Sequence, residues 1–395
     1  MRSYLLIFTK AASATLLAIA LVNWVVDPYA IYGTPRVAGF NEVKHGITGH
    51  ARIWKTIVTR REPWQALVIG TSRAEMGIDC GHPLFHGRRC FNAATGGQTS
   101  DEGLRLVQEA ARGGALEQVV AVLDFAVYNS NYAGAPDLDE DNFRPWRPVA
   151  IAFNTETLVQ SLFTPLRQDT RALLLEHGVW DERGRYESPP AFLEGHRTLT
   201  LRSEGEYLRV LYFPAPRRTF ELSGNRHFDS YRDLVALAHA RGVALTLVIS
   251  PTHARHAETV AVAGLWPQWE DWERRVVAIN EEEARRAGRP AFPLWDFSGY
   301  NAVTTDPFPP LGDHRARMNW YLESSHFTKA AGDMALDRIL AADAGRRIPN
   351  GFGSALTSAN LEAHLTSTRA ARLEWRAAHP ADVAEIEALQ EKAVA

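Results

Sequence analysis

The chain reads as an α/β protein built on a mostly parallel sheet. Three apolar runs, residues 65–69, 118–125 and 243–250, are continuous rather than alternating, the pattern of strands buried on both faces. Amphipathic stretches at 100–112 and 229–240 carry helical spacing and lie between them. Strands alternating with helices predict parallel pairing.

The elements follow in order. Residues 11–26 are uncharged, with Arg2 and Lys10 ahead of them. Counted from Tyr4, with Lys10 snorkelling, about 23 residues are available, enough to span a bilayer. Positive charge at the start predicts a cytoplasmic N-terminus and export of the rest. A signal peptide cut after Ala18-Ile-Ala20 is the competing reading. The apolar run continues to Trp24 and Val26, which favours an uncleaved single-pass anchor. Pro28 predicts an extended exit from the membrane over residues 27–32.

A helix is expected over 45–61, with Ile53, Ile57 and Val58 on one side. The first strand, 65–69, ends in Gly70-Thr71-Ser72-Arg73. A second, 88–94, is stopped by Thr95-Gly96-Gly97, and 291–297 makes a fifth. Between about 130 and 226, proline, tryptophan and charge mix with short apolar runs at 158–166 and 172–175. That stretch reads as an inserted, partly helical cap. After His326 the chain continues as helices at 329–342, 358–378 and 381–394. The expected organisation is an anchor at 1–28, an α/β domain at 29–345 containing the cap, and a helical extension at 346–395.

Composition excludes some functions. The 395 residues carry a formal charge of −3 with no basic excess, which argues against a nucleic-acid partner. There is no C-x-x-C pair, no H-E-x-x-H and no glycine-rich phosphate loop, so neither metal nor cofactor is expected. Cys80 and Cys90 are the only cysteines. In an exported chain an even pair invites a disulfide, and two free thiols are the alternative.

Three pieces carry chemistry. Ser72 follows a buried strand, at the sheet edge where open α/β proteins keep their ligands. The helix start after it offers N–H groups to an oxyanion; capping that helix is the plainer role for a serine. Gly97 ends a segment, Asn92-Ala-Ala-Thr-Gly-Gly97, in which glycines let backbone N–H groups approach a ligand. Glu323-Ser-Ser-His326 places a carboxylate three residues before a histidine, able to orient it as a general base. With 14 histidines in the chain, a surface or core role is the default for any one. Arg73 and His253 are candidates for substrate binding; pairing with an acid and capping a turn are their plainer roles.

Taken together, GTSR after the first strand, N-x-x-x-x-G after the second and E-x-x-H late in the core resemble the SGNH (GDSL-like) hydrolase and acyltransferase superfamily. The resemblance is closer to membrane-anchored bacterial members related to the alginate O-acetylation proteins. The anchor followed by Asp27-Pro-Tyr29, and the segment Gly77 to Pro83, carry that part of the resemblance. It covers about residues 20–345.

The resemblance implies a flavodoxin-like α/β/α sandwich and a serine-dependent O-acyl (acetyl) transferase or esterase. Such a protein acts on a cell-envelope or exported polysaccharide, outside the bacterial inner membrane, with a membrane-bound acyltransferase as a possible partner. Ser72 would be the nucleophile, His326 the base and Glu323 its orienter. The N–H groups of Ser72 and Gly97 would line the oxyanion hole. Glu323 stands where most members have aspartate, and the G-x-N-D block is absent. Asp124 and Asn129 occupy the corresponding stretch and are the remaining oxyanion-hole candidates. Loss of that block leaves room for a silent scaffold that binds glycan or a membrane acyltransferase.

Overall fold

The computed structural model describes residues 1–135, 139–168, 174, 177–181, 189–212, 220–221, 224–340 and 348–394. Residues 172, 173, 175, 341 and 342, within two of the expected elements, lie outside that set.

The helices are α1 (Arg2–Val26), α2 (Gly46–Gly49), α3 (Ala51–Arg61), α4 (Ser72–Gly77), α5 (Ser100–Ala111), α6 (Arg147–Ala152) and α7 (Thr155–Phe163). They continue as α8 (Pro189–Glu206), α9 (Arg226–Arg241), α10 (Ala254–Val262), α11 (Trp266–Ala287), α12 (Lys329–Leu340), α13 (Leu361–Ala378) and α14 (Pro380–Val394). The strands are β1 (Ala66–Ile69), β2 (Cys90–Asn92), β3 (Gln118–Leu123), β4 (Ala244–Ile249), β5 (Leu294–Asp296), β6 (Tyr321–Glu323), β7 (His326–Phe327) and β8 (Ser354–Ala355).

The chain divides into two compact units, one formed by residues 1–62 with 136–176, the other by 63–135 with 177–395. The stretch expected to be one cap is thus shared between them.

The larger unit is α/β. Its six-stranded sheet runs β2-β1-β3-β4-β5-β8, parallel except for β8, which pairs antiparallel with β5. Every residue of β1, β2 and β3 is buried, as the apolar runs of β1 and β3 predict, and burial extends to the polar Asn92 and Gln118. Ala66, Val68, Val120, Val122 and Val248 pack with Ala74, Ala331 and Met334 of α4 and α12. Alternate residues, Ile69, Ala121 and Leu123, face α5 and α9 instead. The chain order reverses between β1 and β3, which leaves a crevice at the carboxyl ends of those strands.

Buried ion pairs tie the last two helices to the rest of this unit. Glu258 in α10 accepts from Arg372 and Arg376 of α13. Arg255, fully buried, holds Glu204 of α8 and Asp382 of α14.

In the smaller unit, α1 is long and apolar enough to cross a membrane, with a mean hydropathy of 2.1 over its best window. Its exit is a turn, not the extended segment expected from Pro28. Asp27 adopts a left-handed conformation (φ 49°), and its carboxylate collects the N–H groups of Ile31, Tyr32 and Gly33. Those donors fold the chain back. The expected helix over 45–61 is broken at His50, where φ is −132°.

Candidate active site

Backbone geometry at the end of β1 sets the position of Ser72. Gly70 has φ +147°, and a Cβ there would lie 2.9 Å from both the Val122 carbonyl and Ala74 Cβ. Only glycine turns the chain this sharply against β3. Thr71 then caps α4 by accepting from Arg73 N. The cap role considered for Ser72 therefore belongs to its neighbour, and Ser72 is left half-buried at the first helical position with its hydroxyl free for another partner.

That partner comes from 254 positions away: Ser72 Oγ lies 2.6 Å from Nε2 of His326. His326 sits on β7, paired antiparallel with β6. Its Nδ1 meets Oε1 of Glu323. Ser325 donates to the same carboxylate through its hydroxyl (2.7 Å) and its N–H (2.9 Å). Burial opposes ionisation of Glu323, but the His326 ring and the Ser325 donors outweigh it, and its carboxyl is held well below the usual range. An ionised Glu323 keeps the proton on Nδ1 and leaves Nε2 to accept from the Ser72 hydroxyl. Ser203 of α8 reaches Ser325 at 3.4 Å, so part of the inserted segment lies over this hairpin.

Behind Ser72 lies a buried polar network. Arg73 is directed away from Ser72, with its guanidinium on Asp124 (3.1 Å), Ser250 (3.1 Å) and Nε2 of His256 (2.8 Å). Asp124 also accepts from Thr71 and Ser250. Burial works against the Arg73 charge, but Asp124 more than offsets it, so the guanidinium stays protonated. His256 is buried beside that cation, which pushes its pKa well down, and the ring stays neutral to accept from Arg73. The network joins the carboxyl ends of β1, β3 and β4.

Several expected roles change here. Arg73 is 4% exposed and His253 2% exposed. Arg73 is spent on Asp124, while His253 caps α10 and contacts the Asp306 carbonyl. Neither is placed to hold substrate, because both exhaust their polar groups internally. Asp124 is an acceptor throughout and cannot donate to an oxyanion. The Asn129 amide donates to the Leu211 carbonyl and accepts from Asn131 N, so it too is committed.

Gly97 is left-handed (φ +61°), its carbonyl accepts from Tyr132, and a Cβ would sit 2.3 Å from that hydroxyl. No hydrogen bond among the described residues joins Gly97 to Ser72 or His326. Asn92 braces the strand end through the carbonyls of Ala74 and Ile78. Cys80 and Cys90 are joined, with Cα atoms 5.3 Å apart.

A small cavity of about 40 Å³ lies between β1, β3, α5 and α9, lined by Thr71, Gln98, Asp124 and Tyr128 among others. It has room for roughly three waters and is lined by neither Ser72 nor His326.

The fold also gathers Glu273, Asp296 and His364, with one donor atom from each within 4.8 Å of the others. They come from α11, β5 and α13, so no sequence spacing announces them. His364 and Asp296 are hydrogen-bonded at 2.7 Å.

No protein-family model, curated protein or solved structure matches this chain.

Proposed function

We propose that this chain is a serine-dependent O-acyl transferase or esterase of the SGNH kind, acting on a cell-envelope or exported polysaccharide. The observation that carries the reading is the 2.6 Å approach of the Ser72 hydroxyl to His326, with Glu323 on the opposite ring nitrogen. The parallel order 2-1-3-4-5 is that of a flavodoxin-like three-layer sandwich, and Ser72 stands at the strand ends where that fold keeps its site. The apolar α1 fits a single-pass anchor in a bacterial inner membrane with the bulk of the chain on the periplasmic side.

In this reading Ser72 Oγ attacks an acyl carbonyl carbon while its proton passes to Nε2 of His326. The oxyanion rests on the N–H groups of Ser72 and Gly97. Collapse breaks the ester bond, and the departing alkoxide takes the proton from His326. A sugar hydroxyl or water, deprotonated by His326, then attacks the acyl-serine; the acyl–Oγ bond breaks and His326 returns the proton to Ser72 Oγ. The acyl group arrives from an ester donor or from a membrane-bound acyltransferase partner.

One observation favours a second reading. Asp124 and Asn129 are both committed elsewhere, so the third block supplies no side-chain oxyanion donor. Removing such a donor costs about 10²–10³ in rate, and a silent scaffold that binds glycan or an acyltransferase would tolerate the loss. Labelling with a fluorophosphonate separates the two. The enzyme reading expects labelling of the native protein and none of Ser72→Ala. No labelling of either favours the scaffold, and labelling of both removes Ser72 as the nucleophile.

A further inference from the structure

The smaller unit contains a helix whose amphipathicity is inverted. On α7 and the turn after it, Val159, Leu162, Phe163 and Leu166 are 47–75% exposed, at the i, i+3, i+4, i+7 spacing of one face. The opposite face, Thr157, Ser161 and Thr164, is polar and buried. In water the two faces would be exchanged. The short helix before it follows suit, with Trp146, Val149 and Phe153 exposed at i, i+3, i+7. Contiguous apolar surface of this kind marks a contact with protein or lipid.

The partner is indicated by what these helices pack against. Both α6 and α7 lie along α1. The joint is Asn23, one turn from the end of α1 and fully buried. Its Nδ2 donates to the carbonyls of Ala152 (2.8 Å) and Asn154 (3.1 Å), which close the corner between α6 and α7. Its Oδ1 accepts from Ser161 (2.9 Å). Backbone groups freed at a helix break are tolerated at membrane depth only when protein satisfies them, and Asn23 does so here. The corner is therefore held at the level of Trp24, an aromatic suited to the membrane–water boundary. The exposed apolar residues of α6 and α7 thus lie on helices packed against α1, whose own apolar side chains Leu16, Leu17, Leu21 and Trp24 are also exposed.

We propose that α6 and α7 form a hairpin embedded in the headgroup–acyl boundary of the membrane, so that the chain meets lipid through three helices rather than one. This rests on the reading of α1 as a membrane anchor. The occupant of the exposed faces is the acyl region of the bilayer, because the surface is apolar and is carried by helices that pack along the apolar α1. Partly inserted amphipathic helices of this type bury their apolar face about 5–10 Å into that boundary.

The test uses the full chain reconstituted in phospholipid vesicles. Both native cysteines are in the disulfide, so an introduced cysteine is the one reactive thiol. Nitroxides are placed at Val149→Cys and Leu162→Cys, with Leu16→Cys in α1 and Leu311→Cys, an exposed loop position, as references. Collision with oxygen is compared with collision with a water-soluble nickel chelate. The proposal expects the oxygen-to-nickel ratio at 149 and 162 to approach that at 16 and to exceed that at 311 several times over. Aqueous ratios at 149 and 162 with an apolar ratio at 16 would overturn the proposal and leave the anchor in place. Aqueous ratios at all three would overturn both. Shielding of 149 and 162 from both reagents would replace lipid by protein as the occupant and also overturn it.

Discussion

Glu323 and His326 are cross-strand partners, facing each other over the two-residue turn Ser324-Ser325. In an antiparallel pair, residues directly opposite share a face of the hairpin. A spacing of three thus delivers the carboxylate to Nδ1 of the imidazole without a loop search. Phe327 and Tyr321, the next partners outward across a register irregularity, are both buried.

Glu323→Gln should lower turnover of an activated ester by about 10⁴-fold and Ser72→Ala by about 10⁶-fold, the sizes found for orienter and nucleophile in serine proteases. Steady-state kinetics on both variants check this. Equal losses would mean that Glu323 does more than orient His326.

The depressed Glu323 carboxyl couples folding to acid. A folded-state pKa below the unfolded value contributes stability that is present above the ordinary carboxylate range and is lost as pH falls through the folded value. Urea midpoints measured from pH 6 down to pH 3 should fall more steeply for the native chain than for Glu323→Gln. Parallel curves would contradict the ionised assignment.

Glu273 has the opposite sign. Burial, with Asp296 beside it, raises its carboxyl above the usual range, and Oε2 has no hydrogen-bond partner among the described residues. The folded state keeps a proton that the unfolded chain releases, so stability is full below the ordinary carboxylate value and declines as pH rises through the folded one. Glu273→Gln, isosteric and uncharged, should raise the melting temperature at pH 8 more than at pH 5. A larger gain at pH 5 would refute the raised pKa.

The Cys80–Cys90 bridge closes a loop of ten residues. The loop-entropy relation assigns it about 2–3 kcal/mol. Replacing both cysteines by serine should lower the urea-derived stability by that order, and mass measurement without reductant should show the native chain two hydrogens lighter than its reduced form.

Arg73→Ala should cost about 3–5 kcal/mol, because it strands the Asp124 carboxylate in a dry site. Arg73→Lys should recover only part of this: one ammonium cannot serve Asp124, Ser250 and His256 in the geometry of a planar fork. Full recovery by lysine would show that charge alone matters there.

The β1, β3 and β4 strands were legible because strands buried on both faces must be apolar without interruption. The end of β1 was legible because Gly70 interrupts that run. The two-residue β8 carries no period at all, and its antiparallel pairing with β5 could not be read from the sequence. Ser72, Glu323 and His326 could be picked out by residue type and order. The commitment of Asp124 and Asn129 could not, since it depends on Thr71, Ser250 and Leu211, which no local pattern connects to them. The inverted face of α7 escapes for a different reason: periodicity reports that a helix has two faces, but not which one meets the solvent.

Ser72 and Arg73 are adjacent in the chain and point in opposite directions, one towards His326 and the other into the core. The hydroxyl contributes little to the packing, whereas its neighbour ties three strands together. Selection therefore acts on the two positions separately. If Ser72 carries the proposed reaction, a lineage that no longer needed it would be free to drift at the first position while remaining held at the second. Descendants with an intact sheet and a substituted serine would be fossils of the chemistry, recognisable by the arginine they kept.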